Sequence, residues 1–133
     1  MLKIIIRAVF IILILAAVLT LLFGCGNKVN ATEKGISIAR SAIKIADDYL
    51  DNNISGDEAG KKLDELIEKM KYVDNMPTGT ADEESQYLAD FFIQSDLLIL
   101  SHNIMFDKYG DNKYDKIIEV RNDLAASIGE KQR

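Results

Sequence analysis

The sequence has few of the residues that build catalytic and metal sites. It contains one cysteine, Cys25, and one histidine, His102, and it has no tryptophan and a single proline, Pro77. A lone histidine excludes most sites in which a histidine activates a nucleophile, and the N and S ligands that zinc prefers are missing. Without a second cysteine there is no intramolecular disulfide, so stability has to come from packing.

One loop carries the beginning of a calcium-binding pattern. In residues 51–57, oxygen-bearing side chains alternate and Gly56 stands sixth, as in the first half of an EF-hand. The twelfth position is Lys62, where an EF-hand has a bidentate glutamate. Ser55 and Glu58 instead have the spacing of a helix capping box, so we interpret the loop as a connection between two helices. We expect no metal site and no cofactor.

The chain is acidic, and its charge is unevenly distributed. Of its 16 Lys and Arg and 21 Asp and Glu, only Lys3 and Arg7 fall within the first 24 residues, which leaves residues 25–133 with a formal charge of −7. Such a surface does not attract nucleic acid, whose phosphates need a basic footprint. The carboxylates gather where helices begin and end, so we attribute them to capping and solvation rather than to acid–base catalysis.

The first 24 residues have the layout of an export signal. Lys3 and Arg7 lead into an apolar run without charge, from Ala8 to Gly24, and the run ends at Cys25. The four residues Leu22-Phe23-Gly24-Cys25 resemble the lipobox of bacterial lipoproteins, although Phe23 is bulkier than the usual occupant of its position. The resemblance implies a lipid anchor: acyl chains such as palmitate on Cys25, and cleavage of the bond before it.

These features predict the domain organisation and the location. Residues 1–24 are expected to be a cleaved signal peptide, residues 25–31 a lipidated N-terminus and tether, and residues 32–133 a folded domain. At ~3.5 Å per residue the tether reaches roughly 20 Å. The alternative is a retained signal anchor, because residues 4–23 match the ~20 residues that span a bilayer. Either form holds the domain at the cell membrane, facing outside the cytoplasm.

The remainder has an apolar period of three to four residues, and alternation of period two is nowhere sustained. The sequence therefore predicts an all-α fold, a small antiparallel bundle of about four helices after an N-terminal signal or anchor helix. Helix starts are expected at Thr32 or Asn30, and at Ser55, Thr80 and Asp111, with Gly129 ending the last helix. The most apolar segment, from Tyr87 to Phe106, is expected to be the central helix.

Two features of this pattern indicate recognition rather than folding. The first is a basic, aromatic corner at the turn before the last helix. It consists of Lys108, Tyr109, Lys113, Tyr114 and Lys116. Its alternative interpretation is a solvated turn whose tyrosines cover the end of the bundle. The second feature is a doubled apolar stripe on the first helix, wider than a four-helix core needs, which suggests a partner groove or self-association.

The sequence thus predicts a lipid-anchored helical protein of the cell envelope that acts without catalysis, as a protein-interaction module at the membrane surface. Accessory, immunity or exclusion, and inhibitor roles all fit this description, with a membrane-adjacent protein as partner and no nucleic acid. The alternatives are a lipoprotein that binds a small ligand and an envelope enzyme that uses carboxylates.

Overall fold

The computed structural model describes residues 30–70, 79–106 and 113–133, and in these ranges the chain forms four helices and no strand. The helices are α1 (Glu33–Leu50), α2 (Gly56–Met70), α3 (Ala81–Met105) and α4 (Lys113–Ser127). The predicted all-α bundle is confirmed. None of these four helices combines the length and the apolarity needed to cross a bilayer. The predicted signal peptide and Cys25 lie outside the described residues.

The helices are arranged as the corners of a square in chain order. Each helix packs against the next one in the sequence, and α4 closes the square against α1. Across the diagonals, α1 touches α3, whereas α2 and α4 barely meet. At most ten residues separate sequential helices, and connections of this length favour antiparallel neighbours.

Large aliphatic side chains from α2, α3 and α4 fill the core around a row of alanines on α1. Ala39, Ala42 and Ala46 are completely buried, so α1 approaches its neighbours closely. The largest fully buried side chains are Leu63, Met70, Ile93, Leu97, Leu100, Ile117 and Leu124. Each of these positions follows the apolar period of its own helix, which is why the sequence pattern locates the core.

The doubled stripe of α1 is part of this core, and the interpretation that it is a free partner surface is wrong. Ile38 and Ile43 are buried, and Ile36 and Ile45 of α1 pack against the core from its edge. A helix that touches three neighbours needs apolar residues on more than one side. The breadth of the stripe therefore reflects the position of α1 in the bundle.

Side-chain caps begin α1, α2 and α3 at the predicted positions Thr32, Ser55 and Thr80, whereas the predicted start at Asp111 lies outside the described residues. Thr32 Oγ1 accepts a hydrogen bond from the backbone N–H of Gly35 at 3.0 Å at the start of α1. At the start of α3, Glu83 N–H donates to Thr80 Oγ1 at 3.4 Å, and Thr80 N–H donates to Glu83 Oε2 at 2.9 Å. The predicted capping box at Thr80 is thus complete, and it satisfies two backbone donors that a helix start leaves free.

The box predicted at Ser55 forms only in half. The backbone N–H of Glu58 donates to Ser55 Oγ at 3.2 Å. The Glu58 side chain turns away from Ser55 and pairs with Lys62 Nζ at 2.7 Å, one helical turn later. The lysine at the twelfth loop position is therefore held by a neighbouring carboxylate.

The last helix ends at Gly129 as predicted. Gly129 has a φ of 72°, a left-handed conformation that glycine adopts without strain. Its N–H bonds to the carbonyl of Ala126 at 3.2 Å, and the N–H of Glu130 bonds to that of Ala125 at 2.7 Å. This pair of bonds is a Schellman motif, which reverses the chain at a helix end. Residues 130–133 consequently run back toward α1.

Candidate interaction surface

The outward side of α3 is a long apolar surface. Seven of its large side chains are between 44 and 62% exposed: Leu88, Phe91, Phe92, Leu98, Ile99, Met105 and Phe106. We call this set the α3 face. Phe92 and Phe106 are the most open, at 61 and 62%. Scattered apolar residues are normal on a protein surface, but a contiguous set of this size usually marks a site of interaction.

The face exists because α3 is apolar on both sides. Its inner side buries Ile93, Leu97, Leu100 and Ile104 in the core, so the outer apolar residues are in excess of what the bundle uses. A helix that is apolar all round is normally covered all round. The other described helices cover α3 on one side only. The predicted central helix, α3, contacts all three other helices, but its outer side stays open. The absence of a polar stripe on α3 is the sequence signal that marks the face.

Aromatic contacts organise both ends of the α3 face. The rings of Tyr87 and Phe91 stack with centroids 6.5 Å apart, and Phe91 meets Phe92 edge-on at 6.2 Å. At the other end the ring of His102 lies 4.6 Å from that of Phe106. Ring pairs in these geometries attract each other beyond simple burial. These ring contacts therefore restrict the side chains at both ends of the α3 face.

The predicted basic corner is described in part. Tyr114 is 46% exposed and Lys116 is exposed on the first turn of α4, which Lys113 begins. Lys108 and Tyr109 lie outside the described residues. The corner therefore stays a prediction.

A buried carboxylate joins the start of α1 to α3. Asp90 is only 2% exposed and lies on the inner side of α3. Its Oδ1 accepts a hydrogen bond from the backbone N–H of Thr32 at 3.0 Å, and its Oδ2 accepts one from Thr32 Oγ1 at 2.6 Å. Gly35 leaves room for this arrangement, since a Cβ there would lie 2.2 Å from Asp90 Oδ1. We call this contact the Thr32–Asp90 clasp.

Sequence reasoning missed the clasp. Asp90 stands inside an apolar helix and gives no local signal of its partner, which is 58 residues away along the chain. A carboxylate on an otherwise buried helix position is nevertheless expected to have donors, because burying it without them is costly.

A group of ion pairs around the buried Arg121 joins α1, α4 and the final residues. The guanidinium of Arg121, 9% exposed as a residue, binds Asp47 through two bonds of 3.0 and 2.8 Å. It also donates to the backbone carbonyl of Lys131 at 2.9 Å. Arg133 reaches the same Asp47 at 3.3 Å and pairs with Asp51 as well. These contacts hold the reversed segment against the bundle.

The two arginines of this group keep Asp47 ionised. Burial raises the pKa of Asp47, but the hydrogen bonds and positive charges of Arg121 and then Arg133 outweigh burial, so the pKa lies below its usual 3.8. Asp47 therefore stays ionised in the folded protein. Among the described residues, no buried side-chain nitrogen or oxygen lacks a hydrogen-bond partner, and we interpret the group as structural.

The structure brings together one carboxylate pair that the sequence pattern did not indicate, Asp96 on α3 and Asp123 on α4. Partial burial, and then the charge of Asp123, raise the pKa of Asp96 to about 6. Within residues 30–70, 79–106 and 113–133, no three Asp, Glu, His or Cys side chains are grouped as metal ligands would be. The pair is a like-charge interaction beside the α3 face.

Replacing Asp96 with asparagine is expected to stabilise the protein at pH 7 by about 1 kcal/mol, allowing for solvent screening. Because the folded-state pKa of Asp96 is raised, its contribution to stability is fully present below pH 3.8 and is lost as the pH rises toward 6. The gain from Asp96→Asn should therefore vanish near pH 3.5. Urea unfolding at both pH values measures it, and an equal gain at both would contradict the assignment.

No family model, curated protein or solved structure matches the chain. Its function is therefore argued from the α3 face, the clasp and the residues that precede them.

Proposed function

We propose that this chain is a lipid-anchored, extracytoplasmic helical protein that acts as a non-catalytic protein-interaction module at the membrane surface. The observation that carries the proposal is the α3 face, a row of half-exposed aromatic and aliphatic side chains without a cover among the described residues. Aromatic residues and methionine are the types enriched where proteins meet. The resemblance of Leu22-Phe23-Gly24-Cys25 to a lipobox supplies the anchor.

The clasp supports a location close to the membrane. Ala31 is already buried and Thr32 is bound to Asp90, so the ordered domain begins within seven residues of Cys25. A tether of this length reaches roughly 20 Å. The partner of the α3 face is accordingly a protein at or near the outer surface of the membrane.

The charge distribution favours a protein partner over the lipid surface itself. Helices that lie in a bilayer interface usually carry Lys and Arg beside their apolar side. The first turn of α3 is acidic instead, with Asp82, Glu83 and Glu84, and Asp96 stands beside the face. Anionic headgroups would repel these side chains, whereas a protein surface can complement them.

The alternatives are small-ligand binding and carboxylate catalysis in the envelope. Asp96 is the observation that favours an enzyme, because its pKa is displaced toward neutrality. Its partner Asp123 lies exposed on α4, however, whereas catalytic carboxyl pairs usually stand together inside an apolar cleft. Catalysis by this pair would also leave the exposed apolar side chains of the α3 face without a role, so we propose the interaction module.

Crosslinking in living cells tests the proposal. A photoreactive amino acid is placed at Phe92, on the α3 face, at Lys116, on the predicted corner, and at Ser37, an exposed position of α1 that serves as the control. We expect a recurrent adduct from position 92 and none from position 37. In a Cys25→Ser background, which removes the lipid attachment, the adduct should be lost or reduced at least tenfold.

Two results would count against the proposal. If neither position 92 nor position 116 of the anchored protein gives an adduct, the proposed interaction module is wrong. Equal labelling from positions 92 and 37 would show contact without specificity. An adduct from position 116 alone would move the partner surface from the α3 face to the corner.

A further inference from the structure

The α3 face repeats every seven residues. Three rows run along it: Leu88, Ser95 and His102; Phe91, Leu98 and Met105; Phe92, Ile99 and Phe106. Spacings of three and four residues are those with which one helix packs along another. The row of Leu88, Ser95 and His102 lies between the other two, and Ser95 stands at its centre. A two-fold axis through Ser95 places the Phe91–Phe92 pair of one helix against the Leu98–Ile99 pair of another.

The size of the α3 face fits such a pairing. A large apolar side chain has an area of about 200 Å², so seven side chains that are about half exposed offer on the order of 700 Å². A stable protein–protein interface buries about 800 Å² on each partner. The largest apolar patch of a typical monomer is about 300–600 Å². The face is thus of the size that a dimer needs.

The direction of pairing follows from charge. The three rows contain no Asp, Glu, Lys or Arg, so two acidic copies can meet along them without placing like charges in contact. The acidic residues Asp82, Glu83 and Glu84 all lie at one end of α3. A parallel pair would bring both acidic ends together, whereas an antiparallel pair separates them by the length of the helix.

From the seven-residue repeat, area and charge of the α3 face we propose that its partner is a second copy of this chain, bound antiparallel with Ser95 of both copies at the two-fold axis. This inference rests on the proposed function and names the occupant of the same surface. The small serine at the crossing point allows the axes of the two helices to lie about 8–10 Å apart, as in other packed helices.

The membrane anchor is compatible with this dimer. The clasp holds the start of α1 at Asp90, five residues and ~7.5 Å along α3 from Ser95. Both tethers therefore leave the dimer near the level of its two-fold axis along α3, each on the inner side of its own α3, so both can reach one membrane when that axis is perpendicular to the bilayer. Confining two copies to a surface raises their effective concentration and favours the pair.

Disulfide crosslinking of the full-length chain in its own membranes tests the arrangement. Ser95→Cys places a new thiol at the two-fold axis, where the two copies fall within the Cα separation of about 7 Å that a disulfide allows. Leu88→Cys is the control for register, because positions 88 of the two copies lie about 21 Å apart along an antiparallel pair. Ser37→Cys is the control on the opposite side of the bundle, and the unaltered chain shows the background from Cys25.

We expect oxidation to give at least tenfold more disulfide-linked dimer for Ser95→Cys than for either control. Adding Phe92→Glu to Ser95→Cys should abolish this dimer while the helical circular dichroism of the chain is unchanged, since Phe92 is exposed in the single copy. Equal dimer from positions 95 and 88 would overturn the antiparallel arrangement. No dimer from position 95 would overturn the pairing, and the proposed function would survive that result if position 92 crosslinks to a different protein.

Discussion

Replacing Arg121 with methionine is expected to lower the free energy of unfolding by about 3 kcal/mol. The side chain of Arg121 is only 11% exposed, and its guanidinium binds Asp47 at two atoms and the Lys131 carbonyl at a third. Methionine fills much of the volume but donates no hydrogen bond, so Asp47 loses its principal partner in a partly desolvated place. Urea unfolding at pH 7 followed by circular dichroism gives the value.

Arg40→Met is the matched control for Arg121→Met. Arg40 pairs with Glu130 at the surface, with 61% of the Arg40 side chain exposed, so its loss should cost at most about 1 kcal/mol. A control effect as large as that of Arg121→Met would contradict the argument from burial.

The effect of Arg121→Met should also depend on pH. The folded-state pKa of Asp47 lies below its usual 3.8, because the two arginines outweigh the effect of burial. A lowered pKa contributes stability that is present above the unfolded-state value and is lost as the pH falls through the folded-state value. The difference between the unaltered protein and the variant should therefore shrink below about pH 4. This dependence is opposite in direction to that of Asp96.

Replacing Gly35 with alanine is expected to destabilise the protein by about 3 kcal/mol, although alanine is the better helix former. A Cβ at position 35 would lie 2.2 Å from Asp90 Oδ1, so the carboxylate must move. Movement strains the packing and weakens the two hydrogen bonds of the clasp, and each effect costs about 1–3 kcal/mol. Thermal and urea unfolding of the single variant test this value.

The double variant Gly35→Ala with Asp90→Ala isolates the cause. Asp90→Ala by itself should destabilise the protein, since Thr32 loses both of its bonds to α3. In that background the obstructing oxygen is gone, so Gly35→Ala should be neutral or slightly stabilising through its helix propensity. A cost that persists in the double variant would show that the clash with Asp90 is not the reason for glycine at this position.

Local rules carried the prediction of the fold. Thr32, Ser55 and Thr80 start helices because a side-chain oxygen three residues before a free N–H can cap it, and Gly129 ends one because it adopts a positive φ. These signals lie within a few residues of their effects. The apolar period then identifies the core residues, since the apolar side of each helix is the side that packs against its neighbours.

The candidate surface was harder to predict because it depends on how helices share neighbours. Two helices, α1 and α3, have broad apolar character, and the sequence pattern alone does not say which of them buries both sides. In the fold, Ile36 and Ile45 of α1 are taken up by the core, whereas Phe92 and Ile99 of α3 remain open. The same limit applies to Asp90 and to the Asp96–Asp123 pair, whose partners are distant in sequence.

The Thr32–Asp90 clasp also decides how mechanical load would enter the domain. A helix held only by its own hydrogen bonds unravels turn by turn when its first residue is pulled. In this protein a pull on the proposed tether first meets a carboxylate buried in α3, through two bonds made by Thr32. The force therefore passes into the longest helix and the core behind it, and the first turn of α1 is shielded.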